Sequence, residues 1–216
     1  DDNEELDVIA VTDHNSCGNC PAVMKLAEAY GVTAIPGMEL TTAEDIHMVC
    51  LFESLDAALA FDDFIQEHRM RIPNRVDIFG EQMIMNSMDE IIGTDAFLLS
   101  AATDITVDNA ALTVMEFGGI CYPAHVDREA NGIIATLGVF PDDENYLCAG
   151  FHDGGKIADY KEKYPALKTR RPLVSSDAHY LWDIRDKEFY LEIDDEPYSG
   201  DRVRGELFKI LRGKCV

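Results

Sequence analysis

The sequence has 216 residues, 47% of them hydrophobic, and its acidic residues outnumber the basic ones by 41 to 18. This length and composition suffice for one sizeable core, so we predict a single domain over residues 1–216. No apolar stretch approaches the roughly 18–20 residues of a membrane-spanning helix, and no export leader is seen, so we expect a cytoplasmic protein without membrane contact. The net charge of −23 would repel a long polyanion, so we expect no long duplex nucleic acid as partner. A small anionic substrate remains compatible, because bound cations reverse the potential locally.

Strand-like and helix-like patterns alternate along most of the chain, which is typical of a mainly parallel sheet covered by helices. Short apolar runs predict strands over residues 6–12, 32–35, 38–40, 46–52, 120–123, 146–151, 173–175 and 188–193. Helical spacing predicts helices over residues 21–30, 55–68, 109–117 and 201–211. Ser54 is a suitable N-cap for the second of these helices.

The alternation breaks between residues 69 and 104, where Pro and Gly bracket two short extended runs. These runs, residues 82–85 and 90–92, flank a polar turn. We therefore predict an inserted hairpin with flanking loops, and its position suggests a lid that sets substrate specificity.

Six cysteines form no dense framework, and several lie in apolar runs, so we interpret most of them as reduced core residues. Cys17 and Cys20 have the CxxC spacing of a zinc knuckle. No second pair lies at a suitable distance, so a loop position is favoured over a structural zinc site.

Histidines and carboxylates fall within or directly after the predicted strands. In an α/β barrel the carboxyl ends of the strands converge on one face. Several strand ends that carry metal-ligand side chains predict a hydrolytic metal centre, because imidazole and carboxylate together suit zinc, manganese or iron. The candidates are Asp13, His14, Glu39, His47, His125, Asp177 and His179.

Each candidate also has an alternative interpretation without a metal. Glu39 could be an ordinary salt-bridged carboxylate, and His47 could be a half-buried strand histidine. His68 lies on the polar face of a predicted helix and is interpreted as solvated. His152 and Asp153 follow an apolar run and are weaker candidates for the site.

Five segments carry these residues in a definite order: VTDHNS (11–16), IPGMELTT (35–42), IHMVCLF (46–52), GGICYPAHVDR (118–128) and VSSDAH (174–179). In their order and combination, these segments resemble the successive motifs of the PHP family, named for polymerase and histidinol phosphatase. The resemblance extends over nearly the whole chain. The sequence is most similar to the small stand-alone PHP phosphoesterases, whose insertion commonly contains a stretch like IFGEQ, here residues 78–82.

The resemblance implies a distorted (β/α)7 barrel that holds two or three divalent ions, of manganese, zinc or iron, and hydrolyses phosphoesters. The implied substrates are phosphomonoesters or terminal phosphodiesters, such as a nucleotide, a short oligonucleotide or a sugar phosphate. The implied metal ligands are His14, Glu39, His47, His125, Asp177 and His179, with Glu39 as the bridge.

The resemblance also implies roles beside the metal ions. Asp13 would ligate directly or orient His14. Arg128 would hold a substrate phosphate with its planar fork, the alternative being a surface ion pair. His179 or His125 would protonate the leaving alcohol.

In PHP proteins a strand ending in an HxH motif, followed by a loop and a helix, ordinarily precedes the strand that ends in DH. Here only five residues precede that strand, so we expect this first barrel strand to be missing from the sequence as given. Two other functions stay open: a catalytically inactive PHP module for structure or binding, and an amidohydrolase-like carbon–nitrogen hydrolase. The second is weakened because no strand-end lysine is obvious.

Overall fold

The first elements of the chain form a short βαββ unit. In a computed structural model that describes residues 6–185 and 189–213, the elements in chain order are β1 (Val8–Val11), α1 (Cys20–Ala29), β2 (Thr33–Thr41) and β3 (His47–Leu51). β2 is one continuous strand where two extended segments were predicted. Gly37 allows this continuity, because a Cβ there would lie 2.5 Å from the carbonyl oxygen of Cys50 on β3.

The next elements are α2 (Leu55–His68) and the inserted segment. Ser54 caps α2 as predicted, because its side chain accepts a hydrogen bond from the Ala57 N–H. The predicted hairpin is present, and the elements of the insertion are α3 (Val76–Phe79), β4 (Met83–Met85) and β5 (Ile91–Thr94).

The remaining elements resume the alternation of helices and strands. They are α4 (Val107–Glu116), β6 (Ile120–Pro123), α5 (Ile133–Leu137), β7 (Cys148–Phe151), α6 (Ile157–Lys163), β8 (Arg171–Val174) and α7 (Gly200–Leu211). Short 3₁₀ turns cover Gly154–Lys156, Pro165–Thr169 and Leu181–Asp183. Residue 188 of the predicted strand 188–193 lies outside the described residues, and residues 189–193 form no strand.

The main sheet has four strands in the order β1-β2-β3-β6. β1 and β2 are parallel as predicted, but β3 is antiparallel to both β2 and β6. The prediction of a mainly parallel sheet is therefore wrong at β3. The connection between β2 and β3 is long enough for a hairpin but too short for a parallel crossover.

β7 and β8 form a separate parallel pair beside the main sheet. A hydrogen bond of 2.8 Å from the Val126 N–H to the Gly150 carbonyl holds β7 against the segment that follows β6. The described residues thus show a mixed α/β fold with three sheets and no closed ring of paired strands. The closed (β/α)7 barrel stays a prediction.

Apolar side chains fill both faces of the main sheet. On β3, Met48 and Cys50 belong to a core cluster covered by α2 and α4, whereas Leu51 belongs to a second cluster covered by α7. This alternation follows from the two-residue period of a strand. Among the described residues, no helix is long and apolar enough to cross a membrane.

Candidate metal centre

The carboxylate of Glu39 lies among three imidazoles that come from three different parts of the fold. Its Oε2 is 3.4 Å from Nδ1 of His14 and 3.3 Å from Nδ1 of His47. Its Oε1 is 3.6 Å from Nε2 of His125. Glu39 and His125 are buried, with 6% and 7% of their surfaces exposed. These four predicted residues therefore form one compact cluster.

Backbone pairing explains why His14 meets Glu39. The pairing of β1 with β2 continues beyond β1, since the Glu39 N–H donates to the Asp13 carbonyl and the Asn15 N–H donates to the Glu39 carbonyl, both at 3.0 Å. A single parallel bridge joins His14 and Glu39 in this extension. The DH motif is thus placed beside the carboxylate by the sheet itself.

His47 reaches the cluster because β3 runs antiparallel. It is the first residue of β3 and lies opposite Thr41, the last residue of β2. The amino end of an antiparallel strand lies at the same edge of the sheet as the carboxyl ends of its neighbours. The strand reversal that the pattern did not predict is therefore what brings His47 to the site.

The electrostatics of the cluster favour a charged carboxylate beside the neutral imidazoles of His14 and His125. Burial raises the pKa of Glu39, but the hydrogen bond from His47 and the nearby imidazoles outweigh burial and leave that pKa below its usual value. Burial also lowers the pKa of His14 and of His125, although Glu39 opposes this shift. Metal ions bind the neutral form of imidazole, so these shifts suit a ligand set.

Two ring nitrogens in this cluster are buried without a hydrogen-bond partner. They are Nδ1 of His14 and Nδ1 of His125. Nδ1 of His14 is close to Glu39, but its orientation does not form a hydrogen bond with that carboxylate. An unpaired buried polar atom costs about 1–3 kcal/mol, so it calls for a partner. Candidate ligand atoms of His14, Glu39 and His47 all lie within 4.8 Å of one another. The residues present therefore fit a divalent metal ion.

Asp177 and His179 lie at the margin of the cluster. The ring centre of His179 is 6.2 Å from that of His14, and its Nδ1 is 3.0 Å from the Asp177 carbonyl oxygen. Arg128 donates to the Asp177 carboxylate at 2.5 Å. β8 ends at Val174, and Asp177 has a left-handed backbone with a φ of 52°. The segment that carries Asp177 and His179 therefore does not continue as an extended strand.

His125 also has a left-handed backbone, with a φ of 24°. Its carbonyl accepts a 2.9 Å hydrogen bond from the Arg128 N–H, which closes a tight turn after β6. Residues other than glycine in this conformation cluster at functional sites. Two candidate ligands, His125 and Asp177, thus occupy unusual backbone positions that no residue pattern reveals.

Asp13 is held by a residue that the sequence argument missed. Its Oδ2 accepts a 2.9 Å hydrogen bond from Nδ2 of Asn19. Asn19 also contacts the inserted hairpin, because its Oδ1 accepts from the Met85 N–H at 2.9 Å and its Nδ2 lies 3.3 Å from the Met83 carbonyl. The inserted segment is therefore tied to the loop that carries Asp13 and His14.

Asp127 is a second residue that the sequence argument missed. Its carboxylate accepts hydrogen bonds from the N–H groups of His152 at 2.7 Å and Asp153 at 3.0 Å. Lys156 Nζ lies 3.7 Å from the same carboxylate, whose side chain is fully buried. Its only signal in the sequence is its place inside the CYPAHVDR motif.

The weaker candidates His152 and Asp153 have other partners. The Asp153 side chain accepts a 2.9 Å hydrogen bond from the Gly155 N–H and so caps a short turn. Arg185 contacts His152, with its Nη2 2.7 Å from Nε2 of the ring. Burial and the nearby Arg128 and Arg185 lower the pKa of His152.

Cys17 lies in the loop that follows His14, and Cys20 begins α1, which agrees with the loop interpretation of Cys17. Both thiols are buried and directed at the Gly37 carbonyl oxygen, with Sγ at 3.2 Å for Cys17 and 3.5 Å for Cys20. The Cys17 N–H donates to the Asp62 carboxylate on α2 at 3.1 Å. These contacts fasten the loop after His14 to the core.

No protein-family model matches the chain, and no curated protein matches it. Among solved structures, the chain is similar to the lesion-specific endonuclease PfuEndoQ from Pyrococcus furiosus, with a TM-score of 0.61 and 15% sequence identity. The alignment covers 96% of this chain and 48% of the endonuclease, so the chain spans about half the length of that protein. At this identity the similarity shows the fold.

The comparison corrects one expectation drawn from charge. We expected the acidic balance to exclude long duplex nucleic acid, but an endonuclease, which cleaves within nucleic-acid chains, has a similar fold. The exclusion is wrong because net charge describes the whole surface and not the potential at one site. Around this site lie the basic side chains of Arg128, Lys156 and Arg185.

Proposed function

We propose that the chain is a PHP-type, metal-dependent phosphoesterase. One observation carries the proposal: a buried carboxylate, Glu39, lies within 3.6 Å of three imidazoles. Two of these rings bury a nitrogen without a hydrogen-bond partner. The order of the five motifs supports the PHP assignment, and the fold shared with an endonuclease supports phosphoester chemistry.

In this proposal two or three divalent ions of manganese, zinc or iron occupy the centre. The two oxygens of Glu39 face different imidazoles, Oε2 towards His14 and His47 and Oε1 towards His125, so each oxygen would be available to hold metal together with a different imidazole. When bound, the ions supply Lewis acidity and an activated water. The proposed ligands are His14, Glu39, His47, His125, Asp177 and His179.

The chain's own residues bind and orient the substrate. Arg128 is partly exposed and has a planar fork that suits two phosphate oxygens, so it holds the phosphoryl group and stabilises charge that develops there. Whichever of His179, at the margin of the cluster, and His125 does not bind metal protonates the leaving alcohol. Asp13, fixed by Asn19, orients the adjacent His14.

The proposed substrates are phosphomonoesters and phosphodiesters. A mononucleotide, an oligonucleotide and a sugar phosphate all present the group that Arg128 would hold. The endonuclease with the similar fold extends this range to nucleic-acid chains.

Metal analysis and hydrolysis assays on the purified protein test the proposal. We expect at least one transition metal per chain, and turnover of p-nitrophenyl phosphate or bis(p-nitrophenyl) phosphate above that of aryl amides. Glu39→Gln should abolish both metal content and turnover. His68→Gln is the matched control, because His68 pairs with Asp104 on the surface, outside the cluster.

Each rival predicts a different result in these assays. Metal content well below one ion per chain, without turnover, would show an inactive structural or binding module. Hydrolysis of amides in preference to phosphoesters would show a carbon–nitrogen hydrolase. Either result would overturn the assignment.

A further inference from the structure

Two aromatic side chains stack on each other at the surface directly after His179. The rings of Tyr180 and Trp182 have centres 4.8 Å apart and planes that differ by 5°. Tyr180 is 61% exposed and Trp182 is 79% exposed. The stack therefore offers flat aromatic surface to solvent.

In the sequence, the stack lies between two residues that contact groups already described. Tyr180 follows His179, whose ring neighbours His14 in the metal centre. Three residues beyond Trp182, Arg185 contacts the ring of His152. Arg185 also lines a cavity of about 520 Å³ together with His152, Val174 and Phe189. The aromatic stack thus directly follows a residue at the margin of the candidate metal centre, and the same segment of chain continues to a guanidinium that lines a cavity.

Exposed aromatic surface of this kind is unfavourable in water and marks a binding site more often than a scattered apolar residue does. Nucleobases are natural partners for such a surface, because every base has a π face and stacks on Tyr or Trp without regard to sequence. The guanidinium of Arg185, three residues further along the chain, is a second kind of group that nucleotides use, for stacking or for phosphate contact.

We propose that Tyr180 and Trp182 form a nucleobase-stacking platform, so that the substrate is a nucleotide unit with an unpaired base. This proposal rests on the proposed phosphoesterase function and narrows its substrate class. A sugar phosphate has no π face to place on the rings. A paired base inside a duplex is already stacked on both sides, so a duplex would engage the platform only at an end, a gap or an everted nucleotide.

Stacking contributes to affinity in a way that can be told apart from a phosphate contact by its dependence on salt. Affinity that comes from stacking depends weakly on salt, whereas affinity from phosphate contacts falls steeply. The part of the affinity that Tyr180 and Trp182 provide should therefore change little between low and moderate ionic strength.

Trp182 is the single tryptophan of the chain, which makes it a direct reporter of binding. We expect AMP or a short oligo(dT) to quench its fluorescence, and ribose 5-phosphate to leave it unchanged. Tyr180→Ala keeps the reporter and should weaken oligo(dT) binding by about 10-fold or more. Tyr30→Ala is the matched control, because Tyr30 is 81% exposed at the end of α1 and should not matter.

The outcomes separate this proposal from the one on which it rests. Equal quenching by ribose 5-phosphate, no effect of Tyr180→Ala, or a response to protein concentration alone would overturn the platform; the last result would show self-association. Aryl phosphate hydrolysis without base-dependent quenching would overturn the platform and keep the phosphoesterase. Base-dependent quenching in a protein without hydrolysis would support the platform and overturn the phosphoesterase.

Discussion

Arg128 donates from its Nη1 to the Oδ2 of Asp177 across 2.5 Å, although the sequence assigned the two side chains to different tasks. The Arg128 side chain is 40% exposed and that of Asp177 is 19% exposed. An ion pair so accessible to water is worth only about 0–1 kcal/mol, so it can rearrange at little cost. The pair therefore positions the guanidinium that we propose to hold phosphate next to the carboxylate that we propose to bind metal, without locking either of them.

Substitutions of this pair should separate the two tasks. Arg128→Lys should lower kcat/KM for a phosphoester by about 100-fold, because a point charge replaces a planar fork, and should leave the metal content unchanged. Asp177→Asn should lower both metal content and turnover. Elemental analysis and steady-state kinetics measure the two effects. Arg75→Lys is the matched control, since Arg75 forms a fully exposed pair with Asp77; equal losses in both Arg variants would contradict the assigned role.

Glu39 offers a test that needs no substrate. Ligands that bind only the folded state stabilise it, by about 2.7 kcal/mol at a concentration 100 times Kd. Added Mn²⁺ or Zn²⁺ should therefore raise the Tm of the wild-type protein and not that of Glu39→Gln, because the variant lacks the charged oxygens among the imidazoles. The same Tm increase in Glu39→Gln would show that the metal binds elsewhere. Calorimetry with and without metal makes the comparison.

The sequence predicted the central cluster because the strand ends are strongly marked. The bounds of α2 and β6 agree with the predicted ranges, and Glu39 meets His14 and His125 as convergent strand ends require. Local propensity and position at a strand end are together enough to predict that these residues lie close to one another.

The apolar pattern does not encode the antiparallel direction of β3, which follows from the short connection after β2. Other features escape prediction because they depend on tertiary contacts. The left-handed backbone of Asp177 has no signal in VSSDAH. Asp127 and Asn19 act through backbone groups distant in sequence, so neither residue type nor spacing points to them.

Asn15 anchors the end of the insertion to the loop that carries His14. Its Nδ2 donates to the carbonyls of Leu99 at 2.7 Å and Ala101 at 2.8 Å, and its Oδ1 accepts from the Thr41 N–H at 2.9 Å. Asn15→Ala should lower the free energy of unfolding by about 1–3 kcal/mol, because buried groups lose their partners. Asn15→Asp should cost more, because a carboxylate oxygen would face two carbonyl oxygens.

Urea denaturation measures this difference. Asn131→Asp is the matched control: Asn131 has the same left-handed backbone, but its side chain makes an exposed contact with the Asp45 carbonyl. A larger loss in Asn131→Asp than in Asn15→Asp would contradict the anchoring role.

Asp127 fixes the turn that carries His152 and Asp153. Its removal should therefore lower the free energy of unfolding more than it lowers the rate of hydrolysis. Asp127→Asn keeps the size of the side chain but replaces one acceptor oxygen with an N–H group, which would face a backbone N–H. We expect the free energy of unfolding to fall by about 1–3 kcal/mol. Metal content should stay unchanged, because Asp127 is outside the proposed ligand set. Glu129→Gln, at an exposed position nearby, should have little effect; equal losses would show a general charge effect instead.

Asp62 on α2 should give the stability of the protein a distinct pH dependence. Burial raises its pKa, and its hydrogen bonds from the Cys17 N–H and the Gln66 side chain only partly oppose this shift. Between the unfolded pKa of about 3.9 and the higher folded value, the folded state binds more protons, so the contribution of Asp62 to the free energy of unfolding falls as pH rises.

Asp62→Asn keeps the acceptor oxygen without the charge. Its stability relative to wild type should therefore increase across that pH interval and stay constant above it. Urea titrations from pH 4 to pH 8 measure the difference, with Asp63→Asn, exposed on the same helix, as control. A difference that is flat or that shrinks with rising pH would contradict the assigned direction.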